Sequence, residues 1–216
     1  MKTLPAALEE LRNDPAADVT ILREYLKMTQ DGLRGCVSEF QKRGWTLLLL
    51  MVVCELLLRS LVAELSFAGL KVSDLSLVQK ALPLGIAYAY YALLSIVAYR
   101  RLLEEVHDKI FRMTMPALFK HNLQWFAHPP TPFHLDTIFE ISLGGFLGKA
   151  FSIMRMPFIF VIVVGPPAYI IYVLFRYFSL YGMNDYYLWG SAVGSFLFML
   201  QGVLLVPGVN KLVPPS

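Results

Sequence analysis

The sequence predicts an all-α, polytopic membrane protein built on a bundle of about four transmembrane helices. Hydrophobic residues make up 56% of the 216 residues, and the mean hydropathy is +0.56. Charged residues make up only 16%, against about 25% in an ordinary soluble domain. Four apolar runs approach the roughly 20 residues that cross a bilayer as a helix. This composition excludes a disordered chain and a disulfide scaffold, and a net charge of +3 is too small to indicate nucleic-acid binding.

Residues 1–44 are predicted to form a polar arm followed by an amphipathic helix. From residue 18 onward, apolar residues recur at steps of three and four, with charged residues between them. Glycines 32, 35 and 44 are expected to weaken or bend this helix. The acidic first 18 residues are untypical of a secretory signal, so we expect the first apolar helix or internal signals to direct insertion.

Residues 45–99 are predicted to form a hairpin of the first two spans. The first span covers 45–63 and begins at Trp45, an interface anchor that follows a basic flank. The second span covers 81–99. We expect residues 64–80 between them to form a short loop with a turn of interfacial helix.

Residues 100–155 are predicted to lie on the inner side of the membrane. They begin as a helical extension of the second span, followed by an amphipathic stretch and a proline-rich break. Residues 137–154 are nearly apolar but contain Glu140 and Lys149. An interfacial or re-entrant helix is the preferred interpretation of 137–154, and a fifth crossing is the alternative.

Residues 156–206 are predicted to form the third and fourth spans, at 156–175 and 186–206, before a short structureless tail at 207–216. With four spans, 15 Lys and Arg residues fall on the side of the termini and three on the opposite side. This asymmetry favours both termini on the cytoplasmic or matrix side. The sequence does not distinguish a bacterial inner membrane from an organelle membrane.

The sharpest polar signal is the pair Glu55 and Arg59 inside the first predicted span. Residues four apart share one face of a helix, and Glu55 lies about 15 Å from Trp45, near the midplane. Each charge at that depth costs about 2.5–3.5 kcal/mol. One interpretation is an ion path or coupling site. The preferred interpretation is a pair that neutralises itself and docks on another helix or subunit.

A second signal is the sequence Gly165-Pro166-Pro167 in the middle of the third span. The prolines lack backbone donors, which predicts a kink or a break. Transporters bind ions or substrates at such half-helix ends, usually with a matching break in a second repeat. No other span contains an equivalent sequence, so a structural kink is preferred over a pore element.

Small residues form a third signal. Gly190 and Gly194 make a GxxxG pair in the fourth span, and Gly144 and Gly148 repeat the spacing. Such residues let helix backbones approach closely, which predicts tight packing within the bundle or with a partner.

The four histidines all fall within residues 100–151. His121, His128 and His134, with Asp136, are the candidates for a zinc or iron site. Their spacing fits no standard metal motif, so interfacial histidines are the preferred interpretation and no cofactor is predicted. Cys36 and Cys54 are predicted to be free thiols that pack like small hydrophobic side chains.

These features lead to one preferred function and two alternatives. The preferred function is a non-enzymatic integral membrane subunit or scaffold of a larger membrane assembly. The first alternative is an oligomeric ion channel or small transporter that uses Glu55, Arg59 and the proline break. The second is a membrane-bound, metal-dependent enzyme that uses the histidines. The predicted partners are the lipid bilayer and either other membrane subunits or further copies of the chain, with no nucleic acid.

Overall fold

The computed structural model describes residues 19–59, 65–67, 70–72, 75–120 and 145–212. These residues form four long helices, one short helix and a two-stranded hairpin. In chain order the elements are α1 (Val19–Leu58), β1 (Leu65–Phe67), β2 (Leu70–Val72), α2 (Leu75–Thr114), α3 (Pro116–Lys120), α4 (Gly145–Tyr181) and α5 (Tyr186–Leu212). The predicted helical fold is therefore confirmed for the described residues. Three helices among them are long and apolar enough to cross a membrane: Leu75–Thr114, Phe160–Tyr181 and Tyr186–Leu205.

Helix α1 joins the predicted amphipathic helix and the first predicted span into one helix of 40 residues. The interior glycines do not end it, because a glycine costs a helix only about 1 kcal/mol. The helix ends at Leu58, earlier than the predicted 63, and residues 60–63 lie outside the described residues. Its apolar part, Trp45–Leu58, is about 21 Å long, against about 30 Å of hydrocarbon. This shortness explains why α1 is not among the three candidate spans.

The prediction of a loop with an interfacial helical turn at 64–80 is wrong. Strands β1 and β2 pair in antiparallel fashion, with Leu65 opposite Val72 and Phe67 opposite Leu70. Each strand has an apolar, a polar and an apolar residue in succession. This alternation is the two-residue period of a β-strand, but each run is only three residues long. Helix α2 then begins at Leu75, six residues before the predicted start of the second span.

Helices α4 and α5 both extend beyond the predicted spans. Helix α4 runs without interruption from Gly145 to Tyr181, so residues 145–154 form neither a separate interfacial segment nor a separate crossing. Residues 137–144 lie outside the described residues. Helix α5 continues through Pro207 to Leu212, which corrects the prediction that the tail is structureless from residue 207.

A tight turn between α4 and α5 is specified by two residues. Gly182 has φ of 86°, and its N–H donates to the Phe178 carbonyl at 3.0 Å. Glycine adopts this left-handed conformation without steric cost and so ends α4. Asp185 Oδ1 accepts from the backbone N–H groups of Tyr187 and Leu188 at 3.0 and 3.1 Å, which makes Asp185 the N-cap of α5.

The chain divides into two compact units. Unit 1 comprises Met1–Phe40, Ile96–Pro157 and Leu205–Ser216, and unit 2 comprises Gln41–Ser95 and Phe158–Leu204. In the described part of unit 1, α1 packs against α2 in antiparallel fashion. The buried cluster contains Leu26, Ile110 and Phe111, and partly buried hydrophobic side chains pack around it.

In unit 2, four helical segments alternate in direction. Contacts of α1 with α4 advance together along the two helices, from Met51–Tyr169 to Cys54–Tyr177, so these segments run parallel. Helix α2 runs parallel to α5, because Leu84 lies at Gly194 and Leu94 lies at Gly202. It runs antiparallel to α4, as the Tyr90–Val163 and Gln79–Tyr181 contacts show.

Large apolar side chains cover the outer surface of unit 2. Examples are Phe160, Ile171, Phe175, Phe196, Leu200 and Leu204. An exposed apolar surface of this extent is unusual for a protein in water and ordinary for one in lipid.

Candidate functional site

The ion pair Glu55–Arg59 forms as the four-residue spacing predicts. Arg59 Nε donates to Glu55 Oε1 at 2.8 Å, and the side chains are 34% and 68% exposed for Glu55 and Arg59 respectively. The sequence predicts that Glu55 lies near the middle of the first span. The structure puts it in the last turn of α1, because the helix ends at Leu58. The pair therefore belongs to the end of α1.

Tyr169 of α4 connects this pair to a second helix. Its hydroxyl donates to the Met51 carbonyl at 3.0 Å and lies 3.4 Å from Glu55 Oε2. Glu55 thus has the guanidinium at one carboxylate oxygen and the phenol near the other. This arrangement compensates the carboxylate charge locally and ties α1 to α4.

A second contact between the same helices lies about two turns further along α4 and is fully buried. Cys54 Sγ and Tyr177 Oη are 3.6 Å apart, and both residues are almost completely removed from the surface. Cys36 and Cys54 are both free and buried, as predicted.

Helix α4 is continuous across Gly165, Pro166 and Pro167, so the helix has no break at this position. Pro167 has no N–H to offer to the carbonyl four residues earlier, which is that of Val163. Tyr90 of α2, with no exposed surface, donates its hydroxyl to that carbonyl at 2.7 Å. The neighbouring helix therefore supplies the donor that the proline removes, as polar side chains do for prolines in apolar surroundings.

A polar cluster joins all four helical segments at one end of unit 2. Gln79 Nε2 donates to the Leu57 carbonyl at 3.2 Å, and its Oε1 accepts from the Tyr181 hydroxyl. The Leu57 carbonyl belongs to the last turn of α1, where backbone carbonyls run out of helical donors. Gln79 therefore caps one helix while it binds another.

An ion pair between Lys80, the residue after Gln79, and Asp185 fixes the α4–α5 turn. Lys80 Nζ lies 2.6 Å from Asp185 Oδ2 and 4.7 Å from the centre of the Tyr181 ring. The hydrogen bond from Lys80 and the N-cap hydrogen bond from Leu188 lower the pKa of Asp185 below its ordinary value. Asp185 therefore remains a carboxylate, which suits the positive end of the α5 dipole.

The predicted small-residue pairs have different environments. A Cβ at Gly194 would lie 2.6 Å from Leu84 Cδ1, whereas one at Gly190 would meet nothing within 4 Å. The face that contains Gly194 is therefore used for packing of α5 on α2. Gly148 is part of α4, and Gly144 lies outside the described residues.

Two buried serines extend the packed face of α5. Ser191 and Ser195 lie one turn apart, and their hydroxyls have no hydrogen-bond partner among the described residues. Their small size suits the close helix approach at Gly194.

The described part of unit 1 contains one of the four histidines. His107 is fully buried on α2, stacks on Phe111 and has Nδ1 3.7 Å from Asp108 Oδ1. The predicted metal ligands His121, His128, His134 and Asp136 lie outside the described residues. Within the described residues, no group of three or more His, Cys, Asp or Glu is placed to hold a metal ion.

Cys36 is the other buried reactive side chain of unit 1. Burial raises the pKa of its thiol, and the nearby Arg100 offsets part of this rise. At neutral pH the group is a thiol, and it packs as a small apolar side chain.

Most of the side chains that connect the helices of unit 2 are not predicted from the sequence: Gln79, Lys80, Tyr90, Tyr169, Tyr177 and Asp185. Two of them had a usable signal. Asp185 directly precedes a helix, which is the N-cap pattern. The carbonyl four residues before Pro167 requires a donor from elsewhere, although the sequence does not identify Tyr90 as its source.

Comparison with known protein families, curated proteins and solved structures gives no match for this chain.

Proposed function

We propose that the chain is a four-span integral membrane protein that serves as a non-enzymatic subunit or scaffold of a larger membrane assembly. Both termini lie on the cytoplasmic or matrix side in this proposal. The observation that carries it is the length of α1 and α2, which are 40 residues each. At 1.5 Å per residue each helix is about 60 Å long, twice the hydrocarbon thickness.

About half of each long helix therefore lies outside the hydrocarbon. Those halves belong to unit 1, where α1 presents charged residues to solvent and packs apolar residues against α2. In this proposal the protein combines a lipid-facing helical unit with a folded helical unit in water. Such an arrangement suits the display of a binding surface beside the membrane.

Helix α1 supplies the fourth span in this proposal, despite its short apolar part. Contacts to α2 and α4 hold it inside unit 2, where the helical segments alternate in direction. A bilayer accommodates a short apolar segment by local thinning and by snorkelling of the flanking Lys42 and Arg43. Four spans that alternate in direction also account for the excess of Lys and Arg residues on the side of the termini.

The contacts of Glu55 favour a structural role over an ion path. Arg59 and Tyr169 occupy its two carboxylate oxygens, and Tyr169 also binds a backbone carbonyl of α1. A pore-lining carboxylate needs a face open to the permeating ion, whereas this one is engaged by two helices.

The partner surface is proposed on the exposed side of α1 in unit 1. Tyr25 and Met28, three residues apart, are 52% and 62% exposed there. Tyrosine and methionine are enriched in the buried parts of protein interfaces. A matched pair, Met183 and Tyr186, is exposed at the α4–α5 turn and provides a control.

Purification of the tagged chain in mild detergent tests the proposal. We expect other polypeptides to elute with it in fixed ratio, Y25A/M28A to lose them, and M183A/Y186A to keep them. A chain that elutes alone and supports an ion flux in liposomes that E55Q abolishes would contradict the proposal and favour the channel alternative.

A further inference from the structure

Gln201 is an exposed polar residue within the apolar part of α5. Apart from Ser191 and Ser195, the other residues from 190 to 209 are glycine or apolar. Polar side chains elsewhere in the spans, such as Ser95, donate to a carbonyl of their own helix. The Gln201 amide is exposed on the outer surface of unit 2, and no described residue makes a hydrogen bond to it. The amide therefore faces outward with its donors and its acceptor unused.

The position of Gln201 along α5 keeps its amide away from the lipid headgroups. Trp189 marks the interface at one end of the span, and about 30 Å of hydrocarbon from there corresponds to about 20 residues, 190–209. Gln201 lies about 18 Å from Trp189 and about 13.5 Å from Asn210 along the helix axis. A glutamine side chain is too short to cross either distance by snorkelling. An amide in hydrocarbon is unfavourable without a hydrogen-bond partner, so a partner at this level stabilises the protein in the membrane.

The residues around Gln201 form a continuous exposed face of α5. Gly190, Leu197 and Leu204 follow one another at seven-residue spacing, and Gln201 comes four residues after Leu197. Leu197 and Leu204 are 52% and 58% exposed, and a Cβ at Gly190 would meet nothing within 4 Å. We name these four residues the α5 seam. Their spacing is that of the contact stripe of two helices that coil around each other, and the glycine permits close approach of a second backbone.

A second copy of the chain supplies the group that Gln201 lacks. Two copies in one membrane have the same orientation, and a twofold axis along the membrane normal places each seam residue opposite its own equivalent. The two glutamine amides then meet at the same depth. Because an amide is both a donor and an acceptor, two glutamines satisfy each other. An unrelated membrane protein would need its own polar side chain at this level and on a matching face.

We propose that two copies of the chain associate through the α5 seam, with hydrogen bonds between their Gln201 side chains. A single polar residue in such a stripe fixes the register of the two helices, because any other register leaves both amides in lipid. The inference deepens the proposed function, since it makes a second copy one of the partners in the assembly. It rests on the membrane placement in that proposal, but not on the surface of Tyr25 and Met28.

Counting the copies of the purified full chain in lipid tests this dimer. Each chain carries one fluorophore and is reconstituted in phosphatidylcholine liposomes at high dilution, and photobleaching steps are counted in each liposome. We expect two-step liposomes in excess of random co-occupancy. Q201L keeps the size of the side chain but removes the amide, and we expect about a tenfold weaker association. G190L is also expected to weaken association, while the unfolding of the single chain is unchanged because the position is open.

Val203 provides the matched control on the same helix. It is 52% exposed and lies about 200° around the helix from Gln201. We expect V203L to associate like wild type. The double variant Q201L/V203Q moves the amide to the other side of α5 and is expected to associate as weakly as Q201L. Wild-type association of either Q201L or Q201L/V203Q would overturn the proposal, because the amide at 201 would then have no specific role.

Disulfide trapping tests the geometry with Gln201 in place. Single cysteines are introduced as L197C or V203C in a background without Cys36 and Cys54, and the liposomes are oxidised with copper phenanthroline. We expect a covalent dimer from L197C and none from V203C, and equal yields would overturn the α5 seam. Flotation of the same liposomes separates the two proposals. A chain that is absent from the lipid fraction contradicts the membrane placement and the dimer with it, whereas an integrated chain that stays monomeric contradicts the dimer alone.

Discussion

Units 1 and 2 differ in the side chains that cover their outer surfaces. In unit 1, Leu26, Ile110 and Phe111 are buried, whereas the charged residues of α1 face outward. In unit 2, large apolar side chains cover the outside, and buried tyrosines bind across helices. Each of the four long helices, α1, α2, α4 and α5, contributes to both units. The contrast teaches that apolar side chains are buried in both units, whereas close approach at small residues and hydrogen bonds between helices are added in unit 2.

The largest expected effect is the loss of stability when a lysine replaces an exposed apolar residue on the outer surface of unit 2. The same change on the outer surface of unit 1 is the control. Phe196 lies near the middle of the α5 span and is 61% exposed. We expect F196K to cost about 3 kcal/mol, because a lysine at the bilayer centre loses its hydration. The amount of membrane-integrated protein and its thermal unfolding in lipid measure this cost. The control M28K, on the exposed surface of unit 1, is expected within about 0.5 kcal/mol of wild type. Equal tolerance at both positions would remove the contrast.

The next largest effect concerns the close packing of α5 on α2 in unit 2. G194L drives a bulky side chain into Leu84, and we expect a loss of about 1–3 kcal/mol in the free energy of unfolding. G190L meets open space on the same helix and is expected to be neutral. Thermal unfolding in detergent distinguishes the two variants. A neutral G194L would show that α5 does not pack closely on α2.

A smaller effect tests the hydrogen bond that the Tyr90 hydroxyl donates to the Val163 carbonyl, four residues before Pro167. Y90F leaves the Val163 carbonyl without its donor, and we expect a loss of about 1 kcal/mol, a typical value for such bonds in membrane proteins. Y88F serves as the control, since Tyr88 is half exposed and its ring packs edge-on against Phe198 in either form. Both variants are compared by their thermal midpoints, and equal midpoints would exclude a stabilising role for Tyr90.

The smallest effect concerns the pH dependence of Asp185. Its pKa in the folded state lies below the ordinary value of 3.8, so its stabilising contribution is complete above about pH 3.8 and is lost as the pH falls through the folded-state pKa. We expect D185N to lower the thermal midpoint by about 2 °C at pH 6, and the difference from wild type to be smaller at pH 3.

The control for this pH dependence is D31N, which removes only the exposed partner of Arg34. It is expected to leave the midpoint unchanged at either pH. A D185N difference as large at pH 3 as at pH 6 would show that the lost contribution is not that of the carboxylate.

Rules that depend on neighbouring residues in the chain predicted the helices and the Glu55–Arg59 pair well. They predicted the helix ends and the hairpin poorly. Apolar periodicity located the helices, and the four-residue spacing identified Glu55–Arg59, because both depend on neighbours within one helix. The ends of α1 and α4 and the hairpin at 65–72 were misjudged. Helix ends depend on a few capping contacts, and the two strands are only three residues long.

The tertiary contacts could not be read from the sequence. Tyr169 and Tyr90 look like ordinary interfacial or buried aromatic residues until α1, α2 and α4 are brought together. The same holds for Gly194 and Gly190, which have identical sequence signals but different neighbours. Such assignments require the helix pairing, which periodicity does not supply.

Spin labels on the two outer surfaces test the central claim most directly. Single cysteines replace Phe196 and Met28 in a background without Cys36 and Cys54, and the labelled protein is reconstituted in lipid. Collision rates with apolar oxygen and with a water-soluble nickel chelate are then measured. We predict that the label at 196 is accessible to oxygen and shielded from nickel, and that the label at 28 shows the reverse. Equal accessibility to nickel at both positions would contradict the account of a lipid-facing unit 2 and a water-facing unit 1.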